Sequence, residues 1–313
     1  MPKLKAPVTE ATISKQIGRK IKSPIFVASL NDLKLPSNEF LEYMSPLFAA
    51  LPWDPYDVRR LQVELLIRAF PKDKAILESR FKDYFLGKKD KRSYRKWISQ
   101  LKRKDRKSFE EIKPWRRRSV AQFLLKETKR GISVKREKVP QFVQEVGEDD
   151  FRSLPRVFVE SPAAHVEHDL FYDFLKEVFK LVQKKWKKKA VKVSMTAHFM
   201  SVQAIQDKPG DNSPEGAHED GADFIISALV INRINLKGGQ TQIIELRPNG
   251  KKEIIYRHTL QPGEFVFQAD TRDEIIYGTD LWHHVTPFYI KDPKSGEAWR
   301  DIIGLDINVI EDK

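Results

Sequence analysis

A chain of 313 residues that is 40% apolar, with 19 Phe, 6 Trp and 8 Tyr, can bury a sizeable core, which excludes global disorder. Zero cysteines exclude disulfides, thiolate metal sites and a Cys nucleophile, and no apolar run approaches the roughly 18–20 residues of a membrane helix. The net charge of +13 fits an anionic partner (nucleic acid, acidic lipid or a small polycarboxylic acid) or a solvated basic face, and bears on association, not on fold.

Residues 1–25 are polar and basic without periodicity and read as a flexible basic arm. They hold no apolar h-region, so no secretory signal is expected and the cytoplasm is the expected compartment. Residues 26–313 read as a single domain. In "SNEFLEYMSPLFAAL" (37–51), Phe40, Leu41, Met44, Leu47 and Phe48 recur at helical spacing. "LPWDPYDVRRLQVELLIRAF" follows, its prolines marking a turn before a piece that is either strand or helix. From Pro71 to about residue 140 the reading is helical and strongly basic, an insertion or enlarged region. Within it Ile76, Leu77, Phe81, Tyr84 and Phe85 share one side, and Gly87 offers a C-terminal cap.

The clearest helix is "DLFYDFLKEVFKLVQKKWKKK" (169–189), with Phe171, Phe174, Leu175, Val178, Phe179 and Val182 in one stripe and lysines at the dipole's negative end. From about 190 to 310 the texture changes. Short alternating or apolar runs are separated by "KPGDNSPEG", "KGG", "RPNGKK", "QPGE" and "DPKSGE", the signature of a β sandwich or barrel. Helices followed by at least six or seven strands predict an α+β fold, a β core flanked by helices.

The chemistry concentrates in this second half. Two imidazoles and one carboxylate can hold Fe(II) on one face and leave the other open. On a strand, residues i and i+2 point the same way, so His218 and Asp220 can reach one metal while Glu219 points elsewhere. A polar turn would use the same residues. Farther on, "YGTDLWHHVTPFYI" supplies a second histidine, either His283 or His284, which alternation alone does not choose between. "AWRDIIGLDINVI" then begins a strand with Arg300, a permanently charged fork suited to a carboxylate.

The segment "SPEGAHEDGADFIISALVINRINLKGG" (213–239), with "HHVTP" and "WRDIIGLDI", resembles the 2OG-Fe dioxygenase family that includes bacterial L-isoleucine 4-hydroxylase and related free amino-acid hydroxylases. The resemblance implies a double-stranded β-helix (jelly-roll, cupin-like) core, with Fe(II) held by His218, Asp220 and His283, and 2-oxoglutarate anchored by Arg300. It aligns His283, not His284, with the iron ligand. Glu219 stands where Gln is more usual and Trp299 where Tyr is. The implied reaction consumes 2-oxoglutarate and O2, releases succinate and CO2, and hydroxylates an aliphatic carbon of a free amino acid or amino-acid derivative.

Around this set, Arg233 is expected either to bind a substrate carboxylate or to pair with Glu245 or Asp223. Asp223 could receive a substrate ammonium or cap a turn. His198 and Gln203, on the strand before the metal motif, could contact substrate or cosubstrate. Trp282 reads as core, and "HVEH" (165–168) as surface. Two other functions fit: an oxygenase of nucleic acid or protein, suggested by the basic 88–138 segment with Trp97 and Trp115, and a non-catalytic cupin-like barrel binding a metal or small acid.

Overall fold

The structure is a computed structural model describing residues 25–139, 154, 156–185, 192–206, 208–247, 249–270 and 280–310. The arm expected over 1–25 lies outside these residues except for Ile25, which is fully buried and opens a strand. The chain divides into two compact units, one of Met1–Leu51, Arg118–Val139 and Val159–Lys313, the other of Pro52–Arg117 and Pro140–Phe158. Among the described residues no helix is long and apolar enough to cross a membrane.

Among its described residues the first unit is built on twelve strands: β1 (Ile25–Ser29), β2 (Arg116–Thr128, in this unit from Arg118), β3 (Gly131–Glu137), β4 (Lys192–Ala204), β5 (Phe224–Ile234), β6 (Leu236–Gly238), β7 (Thr241–Leu246), β8 (Lys252–His258), β9 (Glu264–Ala269), β10 (Asp280–Val285), β11 (Phe288–Ile290) and β12 (Ala298–Ile310). A seven-stranded sheet runs β1-β9-β5-β12-β4-β2-β3, a three-stranded sheet β10-β7-β8, and a two-stranded sheet β11-β6. At the centre β12 lies antiparallel to β4 in unbroken register, from Ala298 opposite Ala204 to Ile310 opposite Lys192.

Alternation along these strands sorts the core into two layers. On one face Met195, Ala197, Phe199, Ile303, Leu305 and Ile307 pack beneath the helices Ser37–Ala50 and Asp169–Lys185. The predicted stripe from Phe171 to Val182 is buried there completely, each side chain contributing about 1.5–3 kcal/mol by leaving water. On the other face Ala228, Val230, Val266 and Ile302 meet Ile243, Ile255 and Leu281 of the three-stranded sheet. A register shift between Ile226 and Ala228 reverses which residues of β5 face each layer.

The second unit contains the basic helices. Tyr56–Ala69, Lys74–Ser79, Phe81–Phe85, Arg95–Gln100 and Arg103–Glu111 enclose a small core of Val63, Leu66, Leu77, Tyr84, Trp97 and Phe109, with Trp97 Nε1 donating to Asp73 at 2.7 Å. The expectation of helix from 71 to about 140 is corrected beyond Glu111, because 116–137 forms the β2–β3 hairpin. Dense arginine and lysine hide the alternation there, yet Val120, Phe123 and Leu125 are fully buried. Lys129 and Arg130 make the turn, with Gly131 at φ +112°.

Candidate metal and cosubstrate site

His218 lies in the irregular stretch between β4 and β5, tied to β10 by a two-way backbone bridge: His218 N–H to His283 O at 3.1 Å and His283 N–H to His218 O at 3.0 Å. Burial on β10 resolves the two-histidine ambiguity. Leu281, His283 and Val285 point inward, whereas Trp282 and His284 point outward. Trp282, expected in the core, instead lies under the Lys252 ammonium, 3.9 Å from its ring centroid.

One ligand atom each from His218, Asp220 and His283 lies within 4.8 Å of the others. The Asp220 carboxylate bridges the pair, 3.4 Å from His218 Nε2 and 3.4 Å from His283 Nε2. Donors sharing one face of an octahedron at roughly 2.1 Å from an ion stand about 3 Å apart, so this set fits one hard-to-intermediate divalent cation with little movement. His218 Nδ1–H donates to Gly216 O at 2.8 Å, which leaves Nε2 as the ligating nitrogen.

Burial disfavours charge on His218, but the hydrogen bond and charge of Asp220, with Glu215 at 3.0 Å and the Gly216 carbonyl, raise its pKa to about 9. A metal must displace that proton. Affinity of the metal-free protein for Mn(II) is therefore expected to rise by up to about tenfold per pH unit toward pH 9, with close to one proton released per ion. Calorimetry in two buffers of different ionisation enthalpy reads that proton directly, and a pH-independent affinity would contradict it.

Asp270, which follows β9, was not legible as a functional residue. Its fully buried Oδ2 accepts three successive backbone N–H groups, from Asp220 (2.9 Å), Gly221 (2.7 Å) and Ala222 (3.1 Å). One carboxylate thus sets the turn that aims the Asp220 carboxylate at both imidazoles. Asp270→Ala is expected to weaken metal binding about 10- to 100-fold while leaving the three ligands in place, as measured by competition with a chelating dye.

Arg300 is completely buried at the start of β12, facing the three-stranded sheet. Its NH1 donates to Asn212 Oδ1 at 3.1 Å, while Nε and NH2 find no hydrogen-bond partner among the described residues. Burial, and then the charge of Arg233, lower its pKa to about 9, so it remains a cation at neutral pH. A buried guanidinium with unmet donors calls for an anion. Thr241, on the same face of the three-stranded sheet as His283, is also fully buried with an unmatched hydroxyl. Each is a buried donor that an anionic ligand could satisfy.

The other expected contacts fall differently. Asp223 accepts the Val309 N–H at 2.7 Å, a bracing role on β12. Gln203 lies opposite Trp299, on the helix-packed face of the sheet and away from Arg300, because residues 202 and 203 alternate. That correction removes it from the site. His198 does face the interior, held between Arg118 (2.9 Å) and Asp306 (2.8 Å). Gln268 is fully buried with both amide atoms unmatched among the described residues, and no spacing signal marked it. In "HVEH", His168 stacks on Tyr43 at 4.0 Å between centroids.

Two imidazoles and a carboxylate on an antiparallel sheet scaffold make a candidate divalent-metal centre, and the same scaffold buries a guanidinium. The model of the 2OG-Fe dioxygenase family matches residues 103–306, most of the chain's length, and the chain belongs to that family. The family uses Fe(II), 2-oxoglutarate and O2 and carries oxidoreductase activity. No functionally curated protein matches the sequence. Among solved structures the chain is similar to a bsmA homologue from Methylobium petroleophilum (16% identity, 98% of this chain and 95% of that one covered, TM-score 0.63). It is also similar to IDO from Bacillus thuringiensis (18% identity, 63% and 79% covered, TM-score 0.48). A third is the Fe(II)/α-ketoglutarate-dependent dioxygenase TqaL (16% identity, 97% and 89% covered, TM-score 0.48). The first of these likenesses is one of fold.

Proposed function

We propose that the protein hydroxylates an aliphatic carbon of a free amino acid or amino-acid derivative, with His218, Asp220 and His283 as the iron ligands and Arg300 as the anchor of 2-oxoglutarate. The two facing sheets are read as a double-stranded β-helix, and the enzyme as a cytoplasmic one. When bound, Fe(II) with 2-oxoglutarate and O2 supplies the oxidising power, the cosubstrate leaving as succinate and CO2 as a C–H bond becomes C–OH. The chain's own groups bind and orient. Arg300 fixes the far end of the cosubstrate, Asp270 holds the Asp220 turn, and Val230, Leu281 and Ile302 keep the interior apolar.

The observation that carries this reading is the conjunction of the three convergent ligands with a fully buried guanidinium whose donors are unmet. A metal site that served only structure would leave such a cation unexplained. The free amino-acid substrate class rests on the resemblance of the 213–239 segment to the hydroxylases. The exposed basic helices of 71–111 favour the second reading, a polymeric substrate. Succinate formation measured with a pool of amino acids, and separately with oligonucleotides and peptides, separates the two. Stimulation by polymers alone would reject the amino-acid reading.

A further inference from the structure

We propose that Arg233 is a second guanidinium for the far carboxylate of 2-oxoglutarate, forming with Arg300 a two-arginine clamp on one anion. The inference rests on the reading that Arg300 anchors that carboxylate. Arg233 and Arg300 are direct cross-strand partners on β5 and β12. Like charges placed directly opposite on a sheet repel, and burial strengthens the repulsion.

The neutralising partners that the sequence offers Arg233 are engaged elsewhere. Glu245 lies 3.2 Å from Arg247 Nε, and Asp223 braces β12. Among the described residues Arg233 NH2 donates only to Gly238 O, at 2.8 Å, and its buried NH1 has no hydrogen-bond partner. Arg300, among the described residues, bonds only to the neutral amide of Asn212. Among the described residues neither arginine meets a carboxylate within ion-pair distance, so two cations stand side by side uncompensated.

They also open on one gap. A Cβ built on Gly239 would sit 3.5 Å from Arg233 NH1 and 3.5 Å from Arg300 Cδ. Gly239 has φ +68° and is buried, so the chain turns there without a side chain of its own, and Phe288 Cβ borders the same point at 3.5 Å. One carboxylate entering this gap meets unmet donors from both guanidinia and removes their mutual repulsion. A second anion, such as a substrate carboxylate, would have to compete for the same space. Arg233 therefore belongs to the cosubstrate end of the site rather than to substrate.

Such a clamp makes the far charge of the cosubstrate decisive. Pyruvate chelates a metal through the same 2-oxo acid group but lacks the far carboxylate. The test is anaerobic calorimetry on the full chain loaded with Mn(II), using wild type, Arg233→Met and Arg233→Lys, with 2-oxoglutarate and with pyruvate. The clamp predicts that Arg233→Met weakens 2-oxoglutarate about 10- to 100-fold with pyruvate unchanged, and that Arg233→Lys falls between. It also predicts that sulfate competes with 2-oxoglutarate in wild type and less so in Arg233→Met.

Two results would overturn it. Arg233→Met could bind 2-oxoglutarate like wild type, which returns Arg233 to substrate or structure. Or it could lose both ligands equally, which makes its role one of folding. A wild-type protein that binds pyruvate and 2-oxoglutarate alike, or neither, would instead reject the underlying assignment of Arg300.

Discussion

Replacing His218, Asp220 or His283 by alanine is expected to lower succinate production from 2-oxoglutarate by at least about a thousandfold. Each removes one of the three donors that converge within 4.8 Å, and two remaining donors leave a flexible, solvent-open chelate. A thermal melt of each variant reads loss of fold separately, and melting near that of the wild type is expected because the sheets are held by apolar clusters. His284→Ala is the matched control. Its side chain faces outward beside Gln242, so activity near wild type is expected. Equal loss on replacing His284 and His283 would contradict the inward assignment.

Arg300→Met is expected to move stability and cosubstrate binding in opposite directions. In the free protein Arg300 is a fully buried cation that, among the described residues, bonds to Asn212 and leaves Nε and NH2 unmatched. Methionine removes the desolvation cost and fills much of the same volume, so the metal-free protein should gain about 1–4 kcal/mol. The same change removes the charged fork, and 2-oxoglutarate affinity should fall by about 2–5 kcal/mol, roughly 30- to several-thousand-fold. Thermal melts with and without 2-oxoglutarate read both effects in one experiment. A variant that is both less stable and unchanged in cosubstrate affinity would make Arg300 a structural residue.

Chemistry with strict demands on residue type leaves its mark on sequence, and that part was legible. His-x-Asp, a later histidine and a strand-opening arginine stood out because few residue types can hold a metal or a dicarboxylate, and the structure brings the first three within 4.8 Å and buries the fourth. The choice between His283 and His284 was not readable from alternation, since both parities fit a strand. It is settled by the bridge to His218 and by the buried neighbours Leu281 and Val285.

What stayed hidden is what one residue cannot signal alone. Asp270 is a lone acid after an apolar run, and its role appears only when three N–H groups from the 220–222 turn, some fifty residues away, fold onto it. Gln203 failed for the opposite reason. It sits one residue from a strand position that faces the interior, and a one-residue shift in parity moves a side chain to the other face. The β2–β3 hairpin was masked because its strands carry Arg116, Arg117, Arg118, Lys126, Lys135 and Arg136, and this charge obscured the apolar alternation of Ala121, Phe123 and Leu125.

The central claim is tested most directly by anaerobic equilibrium dialysis of the full chain against Fe(II) and radiolabelled 2-oxoglutarate. The account predicts one iron and one 2-oxoglutarate retained per chain, with retention of 2-oxoglutarate strengthened by the metal and both lost in Asp220→Ala. Iron held as well by Asp220→Ala as by wild type, or 2-oxoglutarate retained to the same extent without metal, would contradict it.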